Sequence, residues 1–276
     1  MSHVPAERCL NVLELLADGA KSLALGEIAE RLDEPKSGIH RLLSTLVSHG
    51  WVEQDAQTGL YRLTMRLTLV GQRFYADTGI PDLCQPLLDQ LALQAQDYVR
   101  LAVAAGGCLN WLADAQGARG GLMYYPPQIS GAVPLHATAS GKAWLATMHE
   151  KDALELVLSQ GFSAATDPGP QVITTPQELV REVRLAARRG YGTATNEAEP
   201  GISAVAAAIR VHPDSPGVGT LSVAGPSVRM TPKRIQDLAP LIQDYALRIA
   251  QIWPLRHNRV GRPRVLSKPA ARLVSV

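Results

Sequence analysis

Aliphatic residues recur at helical spacing three times before residue 50. Over residues 7–17, ERCLNVLELLA, Leu10, Leu13 and Ala17 share one face with Cys9 and Leu16 beside them, which predicts a core-facing helix. After DGAKSLAL, the segment LGEIAERL places Leu25, Ile28, Ala29 and Leu32 on a second, shorter helix that Asp33-Glu34-Pro35 ends. A third helix follows, with Ile39, Leu42, Leu43, Leu46 and Val47 on its buried face and Gly50 as its stop. Next, WVEQDAQTGLYRL reads as a short strand, a polar turn ending in Thr58-Gly59, and a returning strand with Tyr61 and Leu63. Three helices and a β-hairpin in this order predict a winged helix-turn-helix.

Two more amphipathic segments, TMRLTLVGQRFYADTG and PDLCQPLLDQLALQAQDY, flank Gly79-Ile80-Pro81 and read as a helical linker. From residue 98 the pattern changes. Short strands in YVRLAVAAGGCLNWLADAQG and GGLMYY alternate with helices in GKAWLATM, KDALELVLSQ and TPQELVREVRLAARRG. The small-apolar runs GISAVAAAIRV and GTLSVAG have the composition of strands buried on both faces, and TPKRIQDLAPLIQDYALRIAQIW forms a closing helix. The expected class is α+β, with an N-terminal winged helix-turn-helix at 1–62, a linker helix at 63–80, a second domain at 81–254 and a basic, disordered tail at 255–276.

With 276 residues, 46% of them hydrophobic, the chain can bury one large core or two modest ones. Cys9, Cys84 and Cys108 lie far apart, with no CxxC and no His at metal-ligand spacing, so neither a disulfide framework nor a structural metal is expected. No apolar run reaches the ~18 residues of a membrane span and no signal peptide is evident, so a cytoplasmic protein with no membrane partner is expected.

The third helix carries the candidate chemistry. A DNA-reading helix needs an apolar back and a short polar front near its N-terminus. Here Lys36, Ser37, Gly38, His40, Arg41, Ser44 and Thr45 form that front. Arg41 can offer a guanidinium fork to guanine, His40 and Ser44 can reach base edges, and Lys36 with Ser37 can hold phosphate at the helix start. Arg62 on the hairpin can meet the adjacent backbone or minor groove. One Arg or His on a surface helix is ordinarily a solvated residue; the combination points to double-stranded operator DNA. Charge alone does not, because net charge is only +2 and residues 7–62 hold nine acids against six bases.

The order of elements, with KSGIHRLLSTLVSHGWVEQD followed by YRLT, resembles the IclR family of bacterial transcriptional regulators. The second half is also similar: VPLHATASGKAWLA (133–146) resembles the family's effector-domain signature, and RRGYGTATNEAEPGISAVAAAI and LSVAGPSVRMT resemble later blocks. The similarity runs from about residue 7 to 254. It implies a GAF-like effector-binding domain with an antiparallel sheet flanked by helices, DNA binding as a homodimer or homotetramer, no cofactor, and control of catabolic or transport genes, often by repression. Gly38 departs from the family, where a hydroxyl or β-branched residue is usual; it costs the helix up to ~1 kcal/mol relative to Ala.

In HATASGK, His136, Ser140 and Lys142 lie within seven residues, yet no GxSxG elbow, SxxK or phosphate loop is present. An enzyme is therefore not expected. The plainer reading is a turn into a helix start whose backbone N–H groups suit an anion. By resemblance, the effector cavity maps onto Leu122, Val133, Ala139, Ser140, Gly141, Ala204 and Ser222. Ala194 and Ala224 stand where relatives often carry polar groups, which suggests room for an aromatic or bulkier acid. Arg100 is expected to face solvent, with pairing to an anionic ligand as the alternative. His136 is expected to be structural, its ring hydrogen-bonded within the turn. Trp111, Tyr124 and Tyr125 suit either a cavity wall or a core or dimer contact.

The tail after Trp253-Pro254 holds Arg256, Arg259, Arg262, Arg264, Lys268 and Arg272 with no acid, and its Gly261-Arg262-Pro263-Arg264 resembles a minor-groove hook. The expected function is thus a ligand-responsive transcriptional regulator sensing a small organic acid. The competing classes are a ligand-independent architectural DNA-binding protein and an enzyme built on the second domain.

Overall fold

The computed structural model describes residues 4–18, 22–118, 123–126, 131–162 and 168–253, so the tail and its Gly-Arg-Pro-Arg motif lie outside the described residues. The chain divides between Asp77 and Thr78 into two compact units.

The first unit contains α1 (Val4–Ala17), α2 (Leu25–Arg31), α3 (Lys36–Ser48), β1 (Val52–Gln54), β2 (Tyr61–Leu63) and α4 (Arg66–Asp77). Val12, Leu16, Ile28, Ala29, Ile39, Leu43, Leu46, Val52 and Tyr61 form its core. The apolar face of α1 is therefore rotated from the sequence expectation: Val12 and Leu16 point inward, while Leu10 is 59% exposed and Ala17 is exposed. Val47 is exposed as well, because a core this small covers only the Ile39, Leu43 and Leu46 stripe of α3.

Asp33, at φ 52°, turns the chain between α2 and α3, and Arg8 braces that turn through Glu34 at 2.5 Å. At the other end of α3, Gly50 adopts φ 70° and donates to the Val47 carbonyl, while Trp51 donates to Leu46, both at 2.9 Å. This is a Schellman closure, which needs a left-handed residue where Gly50 stands. The hairpin pairs Val52 with Leu63 and Gln54 with Tyr61, and Asp55 organises its turn by accepting from the Gln57 and Thr58 N–H groups.

The second unit opens with α5 (Ile80–Ala95), followed by β3 (Tyr98–Ala105), β4 (Cys108–Gln116), β5 (Gly131–Ala132), α6 (Ala139–Leu145), α7 (Glu150–Gln160), α8 (Pro176–Arg189), β6 (Gly192–Thr195), β7 (Ile202–Ile209), β8 (Gly219–Pro226) and α9 (Pro232–Ile252). Six antiparallel strands run in the order β5-β4-β3-β8-β7-β6. Every residue of β8, next to the sheet's centre, is buried, as its continuous apolar run predicts. Met123–Tyr125, expected to belong to a strand, have no regular structure.

Helix α5 is not a linker. It buries Ile80, Cys84, Leu88, Leu91, Ala92 and Ala95, and it packs on β3 and β4 while α9 packs on β7 and β8. Burial pushes the Cys84 thiol up to about 11. An amphipathic period marks an apolar stripe without saying whether a sheet or another chain will cover it.

On the opposite face of the sheet, α6 lies against β6, β7 and β8 through Ala139 and Ala143, which meet Ala194 and Ala206. A side chain at Gly192 would stand 2.3 Å from the Ala139 carbonyl oxygen, and one at Gly141 would stand 2.3 Å from that of Leu135. Only glycine fits either position.

Substituting Gly192→Ala is therefore expected to lower unfolding free energy by at least about 2 kcal/mol in urea titrations. Gly38→Ala, which meets nothing within 4 Å on α3, should raise it by up to ~1 kcal/mol. Equal effects of the two would contradict the packing described.

Candidate functional site

Helix α3 presents the expected polar front: Lys36, Ser37, His40, Arg41, Ser44 and Thr45 are exposed and Gly38 is half-buried. Its first residue follows Pro35, whose carbonyl accepts from the Gly38 N–H at 2.9 Å, and no side chain caps the start. Ser44 donates to the His40 carbonyl at 2.8 Å and Thr45 to that of Arg41 at 3.0 Å, leaving their oxygens as acceptors. Lys36 lies along Gly26 of α2. Arg62 is paired across the hairpin with Glu53 at 2.6 Å, so part of its charge is already neutralised.

In the second unit two cross-strand rows define a site on the α6 side of the sheet. One row reads Ala194, Ala204, Ala224, Tyr98 and Gln116; the next reads Gly192, Ala206, Ser222, Arg100 and Asp114. Arg100 does not face solvent. It is 7% exposed, with its guanidinium 3.7 Å from the centre of the Trp111 ring and 5.9 Å from that of Tyr98. Burial works against its charge, and the Asp114 and Glu199 carboxylates around it sustain that charge.

Both tyrosines remain protonated donors. Burial raises the Tyr98 pKa, helped by the Asp114 carboxylate, and burial raises that of Tyr124, whose hydroxyl donates to Glu199 at 2.7 Å. Tyr124 meets Tyr98 edge-on at 5.8 Å, and its carbonyl accepts from Gln116 at 3.0 Å. Tyr125, by contrast, is 68% exposed.

Above the sheet, Thr138 caps α6 by accepting the Gly141 N–H at 2.9 Å, which uses one of the donors expected to meet an anion. One residue after Gly141, Lys142 is buried and donates to both oxygens of Glu197 (2.7 and 2.6 Å) and to the Thr193 carbonyl (3.1 Å). Burial pushes the Glu197 carboxyl up, while Lys142 and the Thr195 N–H draw it back. Glu197 and Glu199 thus tie one loop to α6 on one side and to Tyr124 on the other.

The other expected site residues divide. Ser222 sits beside Arg100, and Ala139 and Ala204 belong to the contact between α6 and the sheet. Val133 is packed in a separate core with Leu109, Leu135 and Trp144, and Gly141 is pressed against Leu135. Leu122 lies outside the described residues. The His136 ring is not held by hydrogen bonds at both nitrogens: Nε2 has no partner among the described residues, and the ring stacks edge-on against Phe162 at 5.2 Å. Burial, with Lys142 nearby, keeps its pKa below the ordinary 6.5. Ser140 Oγ is also buried with no partner among the described residues, so no hydrogen bond joins it to His136 as a nucleophile–base pair would need. Among the described residues no three His, Cys, Asp or Glu side chains form a metal cluster, and no helix is long and apolar enough to cross a membrane.

Residues 5–56 match the IclR helix-turn-helix domain, and residues 73–251 match the description "Bacterial transcriptional regulator IclR C-terminal". The chain belongs to the IclR family. Among its relatives is the HTH-type transcriptional regulator BhcR of Paracoccus denitrificans, 30% identical over 87% of this chain and 84% of the relative. An IclR-family regulator from Brucella abortus is similar in structure, with 26% identity, TM-score 0.75, and coverage of 91% of this chain and 93% of that one. An IclR homologue from Microbacterium hydrocarbonoxydans, complexed with 4-hydroxybenzoate, shares the fold at 22% identity and TM-score 0.66, over 90% of this chain and 98% of that one. The IclR-family chain is a DNA-binding transcriptional regulator, and its N-terminal unit supplies the helix-turn-helix.

Sequence reasoning demoted Arg100 and did not pair Lys142 with Glu197. A signal for Arg100 existed: in YVRLAVAA the residue sits within a strand apolar on both faces, where an Arg has no solvent to reach. Removing one partner of the Lys142–Glu197 pair strands a buried charge, so Lys142→Met is expected to lower stability by about 3–5 kcal/mol. The double variant Lys142→Met/Glu197→Leu should recover much of that loss, as denaturant titration of both would show.

Proposed function

We propose that this IclR-family regulator docks α3 in the major groove of an operator through Lys36, Ser37, Gly38, His40, Arg41, Ser44 and Thr45, with Arg62 at the adjacent backbone. Its second unit senses a small organic acid, aromatic acids included, on the Arg100 side of the sheet. The buried guanidinium carries this reading: it offers a carboxylate a charged fork against the Trp111 ring, in the same cross-strand row as Ser222 and Ala206. Ser222 in register beside it, and Ser140 at the start of α6, supply hydroxyls, and Ala139 and Ala204 complete the proposed surroundings. The homologue bound to 4-hydroxybenzoate supports an aromatic acid as one ligand class.

Homodimerisation is part of the same proposal. Helix α4 buries no residue, and Leu67, Val70 and Phe74 stand exposed along one side of it with Leu69 nearby. A second copy covers such a stripe as a parallel or antiparallel helix pair, and pairing of dimers gives a homotetramer.

Thermal-shift titration with benzoate-type and short aliphatic carboxylates tests the acid reading. A ligand at a hundred times its Kd stabilises by ~2.7 kcal/mol. The shift should vanish in Arg100→Gln and weaken in Ser222→Ala, each compared with its own unliganded transition. An equal shift from the corresponding uncharged amide would contradict an acid sensor.

A further inference from the structure

No residue of helix α4 is fully buried as it leaves the winged helix-turn-helix, and Tyr75 is half-buried. Its first turn is fastened to the end of α3. Arg66, its first residue, donates through Nη1 to the carbonyl of His49, the C-cap of α3, at 2.5 Å, and its guanidinium lies 5.2 Å from the centre of the Trp51 ring. Thr64 donates through its hydroxyl to the Gly50 carbonyl at 2.6 Å and through its backbone to Trp51 at 2.9 Å. Residues 64–66 thus meet residues 49–51 through four hydrogen bonds, a longer one from the Thr64 hydroxyl to the Trp51 carbonyl included, and a ring contact.

The chemistry suits that place. A helix C-terminus leaves carbonyls without intrahelical partners and carries the negative end of the helix dipole, so a guanidinium there is favoured by both hydrogen bonding and charge. The Schellman closure at Gly50 holds the α3 end in one conformation and places Trp51 where Arg66 can stack on it. An Arg satisfies carbonyl and ring together; a Lys ammonium cannot lie flat on an indole while aiming a fork at the carbonyl.

We infer that Arg66 is a positioning residue that fixes the angle between the reading helix α3 and the linker helix α4, so that movement of α4 carries α3 with it as one piece. This rests on the dimer proposed above, in which two α3 helices must meet two half-sites at once. A loose joint leaves each helix able to read its own half-site and spreads the pair over many spacings, lowering the effective concentration of the second contact.

The test uses the full chain and sites that it selects from random-sequence DNA, as paired half-sites and as single half-sites. Wild type should prefer the paired site by about 10²-fold or more. Arg66→Gln should cut that preference by about tenfold, leaving single-site affinity and its salt dependence unchanged, and Arg66→Lys should rescue little. As a control, Arg41→Ala should weaken both kinds of site. Equal loss on single and paired sites, with the salt slope reduced by about 0.9 and rescue by Lys, would make Arg66 a phosphate contact and overturn the inference. An unchanged preference in Arg66→Gln would overturn it too. No preference in wild type would overturn the dimer reading along with it.

Discussion

The second unit depends on how closely α6 lies on its sheet. With glycine at 192 and alanines at 139, 143, 194 and 206, a seven-residue helix approaches the strands to backbone contact, and glycine at 141 lets the turn at Leu135 press equally close on the helix. Such closeness leaves no room for a flexible side chain and no water for a polar one. Lys142 is consequently buried, and the structure answers with both Glu197 oxygens and a carbonyl. Because Glu197 sits two residues from Glu199, the same loop that neutralises Lys142 also holds Tyr124, and Tyr124 meets Tyr98 beside Arg100. One packing constraint therefore leads, contact by contact, to the buried charge proposed to meet the ligand.

The first unit solves a different problem with the same economy of parts. Its core covers a narrow stripe of each helix, so α3 keeps Ile39, Leu43 and Leu46 inside and leaves a wide polar front for a groove. Backbone closure at Gly50 ends that helix where the hairpin begins, and the hairpin's last residues reach back to the same spot. Reading helix, wing and linker thus share one junction.

Much of this was legible along the chain because local periodicity records it. The three N-terminal helices, the hairpin and the buried strands β7 and β8 follow from spacing within ten or so residues. What misled was the width of the faces: Leu10 and Val47 lie at the rim of stripes that a small core does not fully cover. For α5 the stripe was visible, but its partner, the sheet, was not. The site was less legible for a stronger reason. Lys142 and Glu197 are 55 residues apart, and Tyr124 and Glu199 are 75 apart. No short-range pattern encodes such pairings; only the strand order brings them together. The polar face of α3 proposed to read DNA, by contrast, lies on one helix, and its exposure follows from the spacing of that helix alone.

The account joins two units by a claim about energy: a ligand on the Arg100 side changes how well α3 reads DNA. Coupling of that kind is reciprocal, so the ligand must alter DNA affinity by the same factor as DNA alters ligand affinity. The direct measurement is the Kd of a stabilising carboxylate for the free regulator and for the regulator saturated with its selected DNA. The account predicts two different values, in a ratio on the order of 5–150, matched by the change in DNA affinity when the carboxylate is added. Equal ligand affinity in the two states would contradict it, since a ligand that does not distinguish them shifts nothing.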